Sequence, residues 1–122
     1  MRPSDHATDA APLAFAIVNA RVWTRDARRP WVDAVLTRGA TIVAVGATAE
    51  VRKRAGERAT VIDAGGRMVV PLDADGCLAA GEPADVAIVE RVVGASPPVA
   101  SDGEDLVFVL ERGRVVVDRL AR

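Results

Sequence analysis

Cysteine, lysine, histidine and aromatic side chains are all scarce in this chain of 122 residues. Cys77 is the single cysteine, which excludes an intrachain disulfide and makes a reducing, cytoplasmic compartment the expected one. The single histidine, His6, lies in a polar stretch at the N-terminus, so Ser4, Ser96 and Ser101 gain no Ser-His-acid arrangement. Lys53 is the only lysine; on a short helix it reads as a solvated end charge rather than a nucleophile. No apolar run approaches the ~20 residues of a membrane span, and Asp5 and Asp9 stand where a signal peptide carries positive charge. A soluble protein away from membranes is expected. Acids and bases nearly cancel, 17 against 16, and no basic run interleaved with aromatics is apparent, so nucleic acid is not an expected partner.

What is present favours strands. Half of the residues are hydrophobic, yet there are only two Phe, two Trp and no Tyr, so the core must be built from Val, Ile, Leu and Ala. The length fits one domain and is too short for a barrel of roughly 250 residues. Met1–Leu13 mixes small, polar and Pro residues and reads as a flexible tail, ahead of a single domain over 14–122. Strands are expected at Phe15–Trp23, with Asn19 as a bulge or turn onset, and at Trp31–Arg38. Gly39 turns the second into a third at Thr41–Val45.

Thr48 is the expected N-cap of a helix over Ala49–Ala55, with Glu50 in its first turn, Lys53 and Arg54 in its last, and Gly56 as C-cap. Short strands at Val61–Ala64 and Arg67–Val70 flank Gly65-Gly66, and Pro71 ends the ladder. That glycine pair is no phosphate loop, because neither a lysine nor a helix start follows it. Residues 72–83 look irregular, Ala84–Glu90 returns to strand, and Val92–Gly103 is a loop holding Pro97-Pro98. Leu106–Glu111, a turn at Arg112-Gly113 and Arg114–Asp118 form a closing hairpin. The pattern predicts a mainly β fold: a small antiparallel-rich or mixed β-sandwich with one short helix.

Five of these pieces, in order, resemble the small composite β-sandwich of metal-dependent amidohydrolases, the urease alpha-subunit type included. Ile17-Val18-Asn19-Ala20-Arg21-Val22 resembles the opening strand, Gly39–Gly46 the G-x-I-x-x-V-G hairpin, and Val61–Pro71 the V-I-D-x-x-G-x-x-V-x-P approach to the catalytic barrel. Gly81-Glu82-Pro83-Ala84-Asp85 resembles the G-x-x-A-D return from the barrel, and Gly113–Val116 the last hairpin. Residues 72–83 therefore occupy the place where the resemblance implies a barrel, and no barrel is there.

The same comparison implies an Asp and a His-x-His pair holding a divalent metal just after the proline. This chain instead reads Pro71-Leu72-Asp73-Ala74-Asp75-Gly76-Cys77, which leaves Asp73, Asp75 and Cys77 as the candidate metal ligands. A closed zinc site wants four ligands and a catalytic one three plus water, so Glu82 or Asp85 would have to join them. The expected reading is a solvated turn with Asp in turn positions and Cys77 as a small, partly buried side chain, with no metal bound. An EF-hand is excluded by the missing loop and terminal Glu. Asp85 reads as an acceptor of backbone hydrogen bonds at a strand start. No catalytic residue and no cofactor are expected.

Leu106–Leu110 is apolar on both faces, and Val115-Val116-Val117 continues the run. Soluble monomers seldom expose a large contiguous apolar patch, so a homodimer through an apolar sheet face is expected. The expected function is a stand-alone, non-catalytic sandwich, an assembly or relic protein. Two alternatives are the sandwich subunit of a split hydrolase acting with a barrel-bearing partner, and a small-molecule binding module.

Overall fold

Three stretches that read as single strands or strand pairs share one feature: the chain changes sheet in the middle of each. The computed structural model describes residues 13–73, 75–90 and 106–120. Its first strand, β1 (Ala14–Val18), lies in one sheet, and the chain then kinks at Asn19, φ 56°, so that β2 (Arg21–Trp23) lies in the other. The second stretch divides at Asp33 into β3 (Trp31–Val32) and β4 (Ala34–Arg38). After β5 (Thr41–Gly46) and the helix α1 (Thr48–Ala55), the third crosses through Gly65-Gly66 between β6 (Thr60–Asp63) and β7 (Met68–Pro71). The remaining strands are β8 (Val86–Val89), β9 (Leu106–Glu111) and β10 (Arg114–Asp118).

Two sheets result, ordered β5-β4-β1-β6 and β10-β9-β8-β7-β2-β3. Each contains one parallel pair, β1 with β6 and β2 with β7, and is otherwise antiparallel. The described residues thus form a mainly β sandwich with one short helix. Residues 1–12 of the expected tail and the expected loop Val92–Gly103 lie outside the described residues.

The crossings are bonded to one another. Ala20 N–H donates to Asp33 O at 3.0 Å, Asp33 N–H to Gly46 O at 3.0 Å, and Gly66 N–H to Asn19 O at 2.7 Å. Asn19 N–H donates to Thr48 Oγ1 at 3.0 Å. That last bond corrects the expected cap: Ala47 stands at the N-cap of α1 with no side-chain bond, because the Thr48 hydroxyl serves the sheet crossing. Glu50, the basic last turn and Gly56 at the C-cap, φ 69°, are as expected.

Burial follows from two-sided sheets. Phe15, Ile17, Val35, Ile42 and Ile62 of the smaller sheet meet Val22, Val69, Val86, Ile88, Phe108 and Leu110 of the larger one. Phe15 and Phe108 pack edge to face with centroids 6.4 Å apart, a favoured aromatic geometry. The alternate residues Ala16, Val18, Ala34, Leu36 and Ala44 are buried with Val51 and Ala55 of α1. β1 and β4 consequently carry apolar residues at successive positions, as strands covered on both faces do. Phe108, Val109 and Leu110 are all buried within the chain, and on the C-terminal hairpin Val115 and Val116 remain exposed, at 42% and 52%.

At one end of the sandwich the turns pack on each other. Gly113, φ 79°, donates its N–H to Ala84 O at 3.0 Å, and Ala84 N–H donates to Ala40 O at 2.8 Å. A Cβ on Gly113 would overlap the carbonyl of Gly39. We expect Gly113→Ala to cost about 2–5 kcal/mol in urea unfolding, combining a left-handed backbone penalty of about 1–2 kcal/mol with overpacking of about 1–3 kcal/mol. An unchanged midpoint would mean that the two turns part freely. Thr37 is fully buried and its hydroxyl has no hydrogen-bond partner among the described residues. Thr37→Val should therefore raise the unfolding free energy by about 1 kcal/mol, the order of relief for an unsatisfied buried hydroxyl.

Candidate functional site

Residues 72–85 join β7 to β8, and these strands are direct antiparallel neighbours, with Pro71 opposite Val86. A tight turn would have closed this hairpin. The longer connection is instead built into the sandwich: Leu78 is buried in the inter-sheet core, and its N–H donates to Thr24 O at 2.8 Å. Gly81 N–H donates to Ile42 O at 2.8 Å, Ile42 N–H to Glu82 O at 2.8 Å, and Pro83 bridges to Thr41. Bonds to Thr24 after β2 and to Ile42 in β5 tie the connection to both sheets. The irregular stretch is an ordered plug over the end of the core.

Its surface forms a cleft of about 180 Å³ lined by Asp73, Asp75, Gly76, Cys77, Glu82, Pro83 and Asp85. The three candidate ligands and both candidate recruits thus share one depression. They do not converge: among the described residues no three His, Cys, Asp or Glu side chains stand close enough to hold a metal ion. Asp85 is already engaged, its Oδ1 accepting Arg112 N–H at 2.8 Å and its Oδ2 lying 3.6 Å from Arg112 Nε. It holds the turn residue Arg112, φ 51°, in the left-handed conformation that closes the last hairpin. The expected structural role of Asp85, as an acceptor of backbone hydrogen bonds, is the one observed. This donor set does not fit a divalent ion.

Cys77 is partly buried. Burial raises its thiol pKa above the usual range, and the carboxylates of Asp26 and Glu82 raise it further against the opposing effect of Arg25 and Arg28. A thiol held protonated is a poor nucleophile and a poor metal ligand.

The influence of residues 25–28 on Cys77 locates a feature that sequence reasoning missed. The β2–β3 hairpin, residues 21–31, carries four arginines against one aspartate, together with both tryptophans of the chain. Trp23 and Trp31 are direct cross-strand partners. The Arg21 guanidinium lies 5.1 Å from the Trp31 ring and that of Arg25 5.5 Å from the Trp23 ring, within cation–π range. At the tip, Arg28 N–H donates to Asp26 Oδ1 at 3.0 Å and its Nε lies 3.4 Å away. These bonds hold the Asp26 carboxyl below its usual pKa. The signal was legible as R-x-W-x-R followed by R-R-x-W, but only the register pairs the two tryptophans across the strands and sets Arg21 over Trp31.

Two outcomes test this account of the cleft. Asp85→Ala should lower the unfolding free energy by about 1–3 kcal/mol, the cost of removing the acceptor for a turn N–H; no change would separate Asp85 from the hairpin. For Cys77, the folded-state pKa is raised, so any contribution to stability is present below the unfolded-state pKa and is lost as pH rises through the folded-state value. Alkylation by iodoacetamide should accordingly be slower in the folded chain than in urea at pH 8, with its rate midpoint displaced to higher pH; equal midpoints would contradict the raised pKa.

No family model matches the chain. It is similar to the N-substituted formamide deformylase of Arthrobacter pascens, 37% identical over 98 residues, which covers 79% of this chain and 17% of the deformylase. Among solved structures, an uncharacterized metal-dependent hydrolase of Pyrococcus furiosus aligns over 48% of this chain and 13% of its own, at 18% identity and a TM-score of 0.45. One from Pyrococcus horikoshii OT3 aligns over 48% and 12%, at 18% identity and a TM-score of 0.43. The chain is thus similar to this deformylase over most of its own length and spans about a sixth of the length of that curated relative.

Proposed function

We propose that this chain is a non-catalytic β-sandwich module of amidohydrolase type, a composite domain without its barrel, serving in assembly or as a relic of a longer enzyme. The observation that carries this reading is the plug at residues 72–85. Where a barrel would be inserted, the chain seals the end of the core with Leu78 and bonds to both sheets. The acidic side chains there support the same reading, because Asp85 is committed to Arg112 and the others do not converge. Fold likeness alone would not carry function; the chemistry of this segment is what argues against hydrolysis.

A second reading is favoured by the coverage of the deformylase. Similarity over 79% of this chain but 17% of the relative is the proportion a sandwich subunit would show if a separate chain supplied the barrel. Val115 and Val116, exposed on the edge strand β10, offer such a partner, or a second copy, a small apolar contact. In either case this chain contributes scaffold and the metal chemistry lies elsewhere.

The purified chain, supplied in turn with Zn²⁺, Mn²⁺ or Co²⁺, should release no formate from an N-substituted formamide above the buffer rate. Turnover proportional to chain concentration would overturn the non-catalytic reading. Affinity capture from native lysate followed by mass spectrometry separates the two readings: a barrel protein bearing a His-x-His motif assigns the chain to a split hydrolase, and its absence leaves the stand-alone module.

A further inference from the structure

Two surfaces of opposite charge lie side by side on this molecule. The cleft carries Asp73, Asp75, Glu82 and Asp85, and Glu111 extends the acidic rim into an adjoining hollow lined by Leu72, Asp73, Asp85 and Arg112. The hairpin carries Arg21, Arg25, Arg28 and Arg29 against Asp26. Leu78 N–H to Thr24 O, 2.8 Å, joins the cleft segment to the hairpin directly, and both Arg25 and Arg28 act electrostatically on Cys77 in the cleft. Arg28 is 88% exposed and Trp31 46% exposed. The four cleft carboxylates therefore border a cationic, aromatic loop that stands in solvent.

We infer that this face is a self-complementary interface, in which the arginine-tryptophan hairpin of one copy seats in the acidic cleft of a second copy across a two-fold axis. An isologous contact needs two different, complementary patches next to each other on one surface, so that each copy gives to its partner what it receives. Adjacent patches of opposite sign satisfy that requirement. The residue types fit as well: tryptophan and arginine dominate the energetics of interfaces, and here Trp31 and all four hairpin arginines are exposed. A single-stranded nucleic acid would also meet stacked rings and guanidiniums, but its phosphates would run against the neighbouring carboxylates. A divalent cation is disfavoured by the spacing of those same carboxylates. A second copy uses both patches at once.

The charges involved are exposed, so the association should be moderate and screened by salt. Sedimentation velocity at about 100 μM chain should show a dimer in 25 mM NaCl whose dissociation constant rises about tenfold by 300 mM NaCl, as expected when screened rim charges drive the contact. Two double variants sharpen the test: Arg25→Glu with Arg28→Glu, and Asp75→Lys with Glu82→Lys. Each alone should be monomeric, since hairpin and cleft then carry like charge. Mixed at equal concentration, they should form a heterodimer with affinity restored to within a few fold of the unchanged chain. All four positions are exposed side chains, and circular dichroism melts establish that the variants are folded; should one unfold, Arg28→Gln and Asp75→Asn replace the reversals, and each should weaken the dimer.

A chain that stays monomeric at low salt overturns the inference. So does a dimer indifferent to salt and to charge reversal, because that behaviour would belong to an apolar contact such as Val115 and Val116. Variants that are monomeric alone and remain so when mixed would also overturn it. Retention of an oligonucleotide by the unchanged chain, lost on Arg25→Glu and Arg28→Glu without any change in self-association, would assign the hairpin to nucleic acid instead.

Discussion

Everything in this fold depends on three chain segments changing sheet at one level and bonding to each other where they do. Asn19, Asp33 and Gly66 form that line, with Ala20 N–H on Asp33 O and Gly66 N–H on Asn19 O at 3.0 and 2.7 Å. Strands that switch sheets are the usual means of making a sandwich corner. In this chain the corner links the registers of both sheets, because β1 and β2, β3 and β4, and β6 and β7 are each continuous through it. The parallel pairs β1 with β6 and β2 with β7 are copies of one another across the corner. Backbone amides at such bends leave the regular ladder and need other acceptors, and the Thr48 hydroxyl accepts Asn19 N–H rather than capping its own helix.

Much of this was legible in the residues. Gly39 and Arg112-Gly113 marked hairpins that exist, Gly65-Gly66 marked a turn between two short strands, and the helix ends with Gly56 as its charge pattern implied. The sheet changes were not legible. Phe15–Trp23 contains no Pro or Gly, and Asn19 alone had to signal that a nine-residue apolar stretch was two strands in two sheets. Thr48 misled for a physical reason: a Thr before a helix is a sound cap signal, but a hydroxyl makes one choice of donor, and a donor distant in sequence won. At the cleft, sequence spacing grouped Asp73, Asp75 and Cys77 correctly into one depression, yet spacing carries no information about whether carboxylates converge. The Trp-Arg hairpin was passed over because Trp23 and Trp31 lie eight residues apart and meet only through strand pairing.

The connection between β7 and β8 explains how one sandwich design can tolerate very different neighbours. Pro71 and Val86 face each other in the sheet, so whatever leaves at one returns at the other. The entropy of closing a loop between fixed ends grows only logarithmically with its length, and the sandwich is indifferent to what is inserted so long as the end of its core is covered. In this chain Leu78 and Ala84 do the covering. The same connection leaves its carboxylates dispersed around the cleft.

The bulge between Val115 and Val117 has a consequence beyond the hairpin in which it sits. β10 is the last strand of the six-stranded sheet and shows solvent two exposed valines. A flat, regular edge of that composition would template further strands and lead toward fibrils. With Val116 displaced from the ladder and Arg114 and Asp118 flanking the run, the outer row of amides and carbonyls loses the even repeat that an incoming chain must match. The irregularity is how this sheet stays finite.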